Sequence, residues 1–152
     1  MKILFFSDIL RKQGTAVDAA IAVLVCNGAI HPHSLSLGGG FHMTLFMKGK
    51  TYFLNARESA PSAATETMFS ENPDISSTDG AMAIAIPAEL KGYVSAKERF
   101  GNNSITLLEL FQPTIDLCEE GFKVTRSLER AINQFNDPEK SGKFDENLRY
   151  VL

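Results

Sequence analysis

The fold class rests on residues 41–55, which have the sequence FHMTLFMKGKTYFLN. Two strand-like runs, Phe41 to Met47 and Thr51 to Asn55, flank the connector Lys48-Gly49-Lys50. A short connector that contains glycine, placed between two such runs, predicts a β-hairpin. Two or three strands are marginal on their own, so this hairpin needs further elements to pack against.

Upstream of the hairpin, the sequence predicts two helices. Residues 9–13 fit the end of the first helix, which Gly14 stops. Thr15 is a suitable N-cap for the second, which covers residues 16–26 and ends at Asn27-Gly28. Because this helix is apolar almost all round, it should be buried on most sides.

Downstream of the hairpin, the pattern predicts a strand, three helices and a tail. The strand covers residues 81–86; the helices run from Pro87 to Phe100, from a Thr106 cap to about Glu120, and from a Thr125 cap to about Phe135. Pro113 should end or kink the middle helix. The polar tail over residues 135–152 should be mobile. This order of elements predicts an α/β (α+β) chain, a single partial domain over residues 1–152.

The composition is that of an ordinary globular chain. Of the 152 residues, 44% are hydrophobic and 22% are charged, and the net charge is −3. Lysine and arginine are scattered, so neither nucleic acid nor an anionic membrane is expected as a partner. The apolar start, residues 1–6, is too short for the core of a signal peptide, and no segment is long enough for a membrane span.

Cysteines and histidines are few. Cys26 and Cys118 both lie inside apolar runs, which predicts buried thiols and leaves a disulfide between them open. His31, His33 and His42 have no acidic cluster beside them, so no metal site is expected.

Several motifs follow one another along the chain in a fixed order. They cover residues 15–22, 32–41, 55–61, 85–93, 99–101, 110–115 and 120–124. Together they resemble the front part of the large subunit in the gamma-glutamyltransferase family, also called glutathione hydrolases. The likeness is strongest at residues 55–61, Asn-Ala-Arg-Glu-Ser-Ala-Pro.

The resemblance implies a fold and a chemistry. The fold is the four-layer α/β/β/α sandwich of N-terminal-nucleophile hydrolases, of which this chain is a part. The family precursor cuts itself into two subunits, and the first threonine of the small subunit becomes the nucleophile. That threonine attacks the γ-glutamyl amide of glutathione or a related compound. The glutamyl group then passes to water, an amino acid or a peptide, and no cofactor is implied.

The nucleophile of the family is not found here, because the 152 residues contain no Thr-Thr-His. No catalytic residue is therefore expected within the chain, which should be an inactive fragment that needs the missing small-subunit segment. Two alternatives stay open: a non-catalytic relative that binds γ-glutamyl compounds, and a structural segment that completes a partner. Family members are usually found at the plasma membrane, outside the cell or in the periplasm; the sequence assigns no compartment to this chain.

Arg57 is the site residue that the resemblance carries over. It matches the arginine that holds the α-carboxylate of the γ-glutamyl group, and the planar fork of a guanidinium suits a carboxylate. From the sequence alone, a surface or salt-bridge arginine is the alternative. Glu58 either orients Arg57 or is merely a solvated carboxylate.

The glycine run at residues 38–40 allows two interpretations. Its N–H groups could be offered to an anion, but tight packing of the first strand is favoured. Ser36 and Ala88 stand where the family commonly has glycine, so strained turns are a possible consequence there. The sequon Asn102-Asn103-Ser104 matters only if the protein is secreted.

Overall fold

The computed structural model describes residues 2–70, 77–78 and 80–135. Its elements are α1 (Lys2–Arg11), α2 (Ala16–Ile30), β1 (Phe41–Met47), β2 (Lys50–Ala56), a short 3₁₀ helix (Ala81–Ala83), α3 (Glu89–Phe100), α4 (Leu107–Glu120) and α5 (Arg126–Phe135). The predicted tail lies outside the described residues, except for residue 135, which ends α5.

The predicted hairpin is confirmed. Strands β1 and β2 pair antiparallel, with a register that runs from Phe41 opposite Ala56 to Met47 opposite Lys50. The two turn residues, Lys48 and Gly49, have φ values of 50° and 75°. Positive φ at both central positions is the geometry of the two-residue hairpin turn that matches the twist of the strands. Alternate side chains of β1 therefore face the core, while those between them are exposed.

The core forms around α2, as its apolar sequence predicted. Buried side chains of α2, such as Ile21 and Ala22, meet Tyr93 and Ala96 of α3 and Leu110 of α4. Half-buried residues of the hairpin cover this cluster from the other side. The helical layer thus packs against one face of the two strands.

The predicted end of α2 at Asn27-Gly28 is wrong, because the helix continues to Ile30. Glycine inside a helix costs about 1 kcal/mol relative to alanine. Ile30 is only 6% exposed and packs in a second cluster with Cys26 and Leu117. Burial of that side chain is worth about 1.5–3 kcal/mol, so packing outweighs the local stop signal.

The predicted strand over residues 81–86 is also wrong. Its first three residues form the 3₁₀ helix, and only Ile86 makes a strand-like bridge, to Ser59. A strand needs a hydrogen-bonded neighbour along its whole length, and the described residues supply one bridge only.

Pro113 does not end α4, which continues through it to Glu120. Leu110 and Leu117, on either side of the proline, are both buried and anchor the helix there.

The three predicted threonine caps are confirmed. Thr15 Oγ1 accepts the Asp18 N–H at 3.2 Å, and Thr106 Oγ1 accepts the Glu109 N–H at 3.2 Å. In both cases the carboxylate returns the bond to the threonine N–H, which completes a capping box. Thr125 Oγ1 accepts the Leu128 N–H at the start of α5.

The exposed capping box of α4 gives a prediction about pH. The Thr106 N–H and then the Thr106 hydroxyl hold the pKa of Glu109 below its ordinary value of 4.5. The stabilising charge is therefore fully present above the unfolded pKa and is lost as the pH falls through the folded pKa. We expect an NMR titration of the Glu109 carboxyl to have its midpoint below 4.5.

The control for this titration is Glu109→Gln, which keeps an acceptor for the Thr106 N–H but cannot ionise. Its thermal unfolding should lack the component of acid destabilisation that belongs to residue 109. A midpoint at or above 4.5 for Glu109 would contradict the capping box as the source of the shift.

Within the described ranges, no helix is both long and apolar enough to cross a membrane.

Candidate functional site

The end of β2 is held by a close approach between two backbone segments. A Cβ added to Gly40 would lie 2.3 Å from the Ala56 carbonyl oxygen and 3.1 Å from Arg57 Cα. No side chain fits between these backbones, so glycine is required there. The segment before β1 and the segment that carries Arg57 are therefore packed directly against each other.

The other two glycines of the run make hydrogen bonds within their own loop and to the start of α3. Gly39 N donates to Ser36 O at 2.9 Å, and Gly38 N donates to Ser36 Oγ at 3.2 Å. Gly39 O accepts the N–H groups of Ala88 and Glu89, both at 3.0 Å, at the start of α3. These bonds support the packing interpretation of the run over an anion-binding one. Ala88 has φ −130°, and Ser36 has no positive φ. The strain that the replacement of glycine could cause at these two turns is therefore absent.

Arg57 follows β2 immediately. Its N–H donates to Asn55 Oδ1 at 3.0 Å, a local turn that fixes the backbone where the strand ends. One of its guanidinium nitrogens lies 3.1 Å from Glu58 Oε2. The Arg57 side chain is 57% exposed and that of Glu58 is 20% exposed. The guanidinium is therefore tethered at one nitrogen and open to solvent over the rest of the fork.

The contact with Glu58 is a charge contact rather than a hydrogen bond. Glu58 Oε2 is buried, and within the described part of the chain it has no hydrogen-bond partner of acceptable geometry. A buried carboxylate oxygen next to a half-exposed arginine holds that arginine on one side. This arrangement agrees with an orienting role for Glu58 and disfavours a merely solvated carboxylate.

A groove of about 320 Å³ lies between the end of β2 and α3. Its charged lining residues are Arg57 and Lys91, and Asn55, Ser59 and Ser95 add polar groups. No carboxylate belongs to its described lining. The lining carries two positive charges, and Glu58, which contacts Arg57 from outside the lining, offsets one of them. The groove is therefore cationic by one charge, which favours an anionic group.

The histidines lie apart from this groove. His33 Nε2 is 3.0 Å from Ser127 Oγ, and the His31 and His33 rings meet edge to face. His42 packs against Phe53 on the hairpin. In the described residues, no group of three or more histidine, cysteine or acidic side chains is arranged to hold a metal ion.

The two cysteines have different environments. Cys26 is fully buried, as predicted, but Cys118 is exposed, so the prediction of a second buried thiol is wrong. Leu117 takes the buried position on α4, and its neighbour Cys118 is turned about 100° away around the helix. The two thiols do not form a disulfide.

Comparison with known proteins identifies the family. The model of the gamma-glutamyltranspeptidase family matches residues 6–146. The chain belongs to this family. It is 40% identical over 128 residues to the glutathione hydrolase 5 proenzyme of Rattus norvegicus, which covers 82% of the chain. It is 39% identical over 122 residues to the glutathione hydrolase proenzyme of Pseudomonas aeruginosa, which covers 78% of the chain. In both cases the chain spans 22% of the relative's length.

The fold comparison agrees with the family. A gamma-glutamyltranspeptidase from Pseudomonas nitroreducens, solved in complex with L-DON, superposes with a TM-score of 0.77 at 37% identity. The match covers 89% of this chain and 42% of the other. The expected fold class is confirmed: the chain is a mixed α/β part of the N-terminal-nucleophile hydrolase architecture. The family assigned from the ordered motifs is confirmed as well.

The sequence did not predict the placement of two residues near the site, Lys91 and Glu89. Lys91 belongs to a recognised motif, yet nothing in the sequence indicates that it lines the same groove as Arg57. Glu89 is buried and accepts a hydrogen bond from the Tyr93 hydroxyl. The four-residue spacing of Glu89 and Tyr93 within a helix is the one signal that could have paired them.

Proposed function

We propose that this chain supplies the carboxylate-binding arginine of an enzyme that transfers or hydrolyses γ-glutamyl groups, with glutathione and related compounds as donors. The observation that carries the proposal is Arg57, held at the end of β2 in a cationic groove. Membership of the gamma-glutamyltranspeptidase family supports it. Arg57 binds the α-carboxylate, and Glu58 keeps its guanidinium oriented.

The groove suits an amino-acid carboxylate for reasons of charge and rigidity. The open side of the Arg57 fork can make two parallel bonds to the two carboxylate oxygens. Lys91 adds a second positive charge at the same groove. Because β2 and the Gly40 contact fix the backbone, little conformational entropy is lost when the ligand binds.

The nucleophile comes from a polypeptide segment other than these 152 residues. A small-subunit threonine, with its free amine as base, attacks the γ-carbonyl, and the acyl group then passes to water or an amine. Exposed apolar side chains support completion by another segment: Phe46 is 73% exposed and Phe53 is 64% exposed on the outer face of the hairpin. Large exposed apolar surfaces of this kind mark interfaces.

Binding by the chain itself tests the role of Arg57. In an NMR titration with glutathione, we expect Arg57→Ala to weaken binding by about tenfold, the effect of about 1.4 kcal/mol from a lost charged hydrogen bond. The affinity of Arg57→Lys for glutathione should lie between those of the wild type and Arg57→Ala, because an ammonium keeps the charge but lacks the planar fork. Arg99→Ala, at an exposed position on α3 outside the groove, is the matched control. Equal affinity in wild type and Arg57→Ala would overturn the proposal.

Release of the chromophore from a γ-glutamyl anilide tests the missing nucleophile. Neither the chain nor Arg57→Ala should release it. Release by the chain that disappears in the variant would mean that a threonine, serine or cysteine of this chain carries out acyl transfer.

A non-catalytic relative that binds γ-glutamyl compounds is the second candidate. One observation favours it: both charged residues of the groove, Arg57 and Lys91, belong to this chain. If a longer protein that contains this chain binds glutathione but releases no chromophore, this second candidate replaces the first.

A further inference from the structure

A second and larger cavity lies on the other side of the glycine run. It has a volume of about 650 Å³ and is bounded by α2, α4 and the loop at residues 36–38. Its walls are mainly apolar and include Leu24, Val25, Leu37, Phe111 and Ile115. Pockets of about 300–1,000 Å³ with apolar walls and a few polar groups are typical of small-molecule sites. This cavity and the Arg57 groove share no lining residue.

The charge of this cavity is opposite to that of the groove. Its ionisable carboxylates are Glu89, which is 5% exposed, and Glu119, which is exposed at the rim. No lysine, arginine or histidine belongs to its described lining. Glu89 is the first residue of α3, where the helix dipole favours a negative charge, and a cation in the cavity would add to that compensation.

Tyr93 donates a hydrogen bond to one oxygen of Glu89. Its hydroxyl donates to Glu89 Oε1, and burial together with Glu89 raises the pKa of Tyr93 well above its usual range. Tyr93 therefore remains a neutral donor and does not neutralise the carboxylate. The other oxygen, Oε2, lies beside Gly39, as does Glu58 Oε1: each is 3.4 Å from where a Cβ on Gly39 would stand.

Thr114 supplies a second polar group to the same cavity. The residue is 6% exposed, and its Oγ1 is buried without a hydrogen-bond partner among the described residues. Buried hydroxyls are almost always bonded, so an unpaired one requires an explanation. A ligand that donates a hydrogen bond at this position would satisfy it.

We propose that this cavity binds a small organic primary amine, with its ammonium group held by Glu89 and the Thr114 hydroxyl and its apolar body between α2 and α4. An ammonium carries three donors and one positive charge, which matches a carboxylate and an unpaired hydroxyl. A carboxylate ligand is repelled, and a neutral alcohol has no positive charge to pair with Glu89. This binding activity is separate from γ-glutamyl transfer and does not depend on Arg57.

Cys118 provides a native reporter, because its exposed thiol lines the cavity. We would follow its reaction with 4,4′-dithiodipyridine, a disulfide that exchanges with thiols and leaves amines intact. Saturating 2-phenylethylamine should slow this reaction by about fivefold or more, because an occupied pocket excludes the reagent. At equal concentration, 2-phenylethanol and 3-phenylpropanoate should leave the rate unchanged. Cys26, fully buried, should react only on unfolding.

Variants assign the protection to the two polar groups. Glu89→Gln should weaken protection by the amine by about tenfold, as expected for a lost charged hydrogen bond. Thr114→Val should weaken it by about threefold and leave the fold intact, since valine matches the shape and the hydroxyl has no partner to lose. Glu98→Gln, an exposed site on α3 outside the cavity, is the control. Circular dichroism checks that each variant is folded.

Three results would overturn the proposal. The first is equal protection by the alcohol or the carboxylate. The second is full protection in a folded Thr114→Val variant. The third is protection by a lysine-containing tripeptide but not by 2-phenylethylamine. That result would mean that the cavity binds a lysine side chain of a polypeptide and not a small amine.

Discussion

Replacing Gly40 with alanine is expected to lower the free energy of unfolding by about 3 kcal/mol, the upper end of the range for overpacked sites. The new Cβ would lie 2.3 Å from the Ala56 carbonyl oxygen and 3.0 Å from the Glu58 nitrogen. Both partners are backbone atoms, so no side-chain rotation relieves the clash. Either β1 or the segment that carries Arg57 must move.

The matched control lies two residues earlier, in the same glycine run. A Cβ at Gly38 would meet only Ser36 Oγ, at 3.4 Å, and Gly38 has no positive φ. Gly38→Ala should therefore be nearly neutral. Urea unfolding followed by circular dichroism measures both variants, with unchanged m-values as the check for two-state behaviour.

The effect of Gly40→Ala should extend from stability to binding. Under conditions in which the variant is still folded, we expect it to bind glutathione as weakly as Arg57→Ala does, because the end of β2 is displaced. A displacement of about 1 Å at a positioned group is enough for a large loss. If Gly40→Ala loses stability but keeps the affinity of the wild type, Arg57 is not aimed by this backbone contact.

Local chemistry explains what could be predicted from the sequence. The connector between the two strands and the threonines at residues 15, 106 and 125 act over three or four residues, and all gave correct elements. Arg57 and Glu58 are neighbours in the chain, so their contact also needed no knowledge of the fold.

The errors arise where distant packing decides. Helix α2 continues through Gly28 because Ile30 packs against Leu117, which is far away in the sequence. Residues 81–86 do not form a strand, because the described residues supply no neighbouring strand for them to pair with. Cys118 is exposed because the adjacent Leu117 takes the buried position. The groove with Lys91 and the cavity with Glu89 and Thr114 join residues from separate elements, which no local pattern indicates.

The buried capping box at the start of α2 shows the same dependence on distant residues. Asp18 Oδ2 accepts the Thr15 N–H and the Asn102 N–H, both at 2.8 Å, and the Thr15 hydroxyl at 2.9 Å. Lys97 Nζ lies 3.3 Å from Asp18 Oδ1 and donates to Asn102 O at 2.6 Å. Asn102 Nδ2 also donates to Gln13 O, so the sequon asparagine is engaged in this network. One carboxylate therefore ties α2 to the loop after α3.

Asp18→Ala is expected to lower the free energy of unfolding by about 3–5 kcal/mol, the cost of breaking a buried ion pair from one side. Asp18 is fully buried and the Lys97 side chain is 11% exposed, so the substitution leaves a poorly solvated ammonium and unpaired N–H groups. The Lys97 contact at Oδ1 lacks hydrogen-bond geometry, so its contribution is mainly the compensation of charge. Urea denaturation at neutral pH gives the measurement.

Glu109→Ala is the comparison that isolates burial. Glu109 makes the same two capping-box bonds to Thr106, but this box is exposed to solvent. Lys97 forms its ion pair with Asp18, and its charge is the last of the causes that lower the pKa of Glu109. Removal of the Glu109 carboxylate should therefore cost much less than that of Asp18. A Lys97→Met variant should also be destabilised, and the double variant Asp18→Ala with Lys97→Met should be more stable than the sum of the two single effects implies. Additive effects would mean that the ion pair contributes little, and that Asp18 stabilises the fold only through its backbone hydrogen bonds.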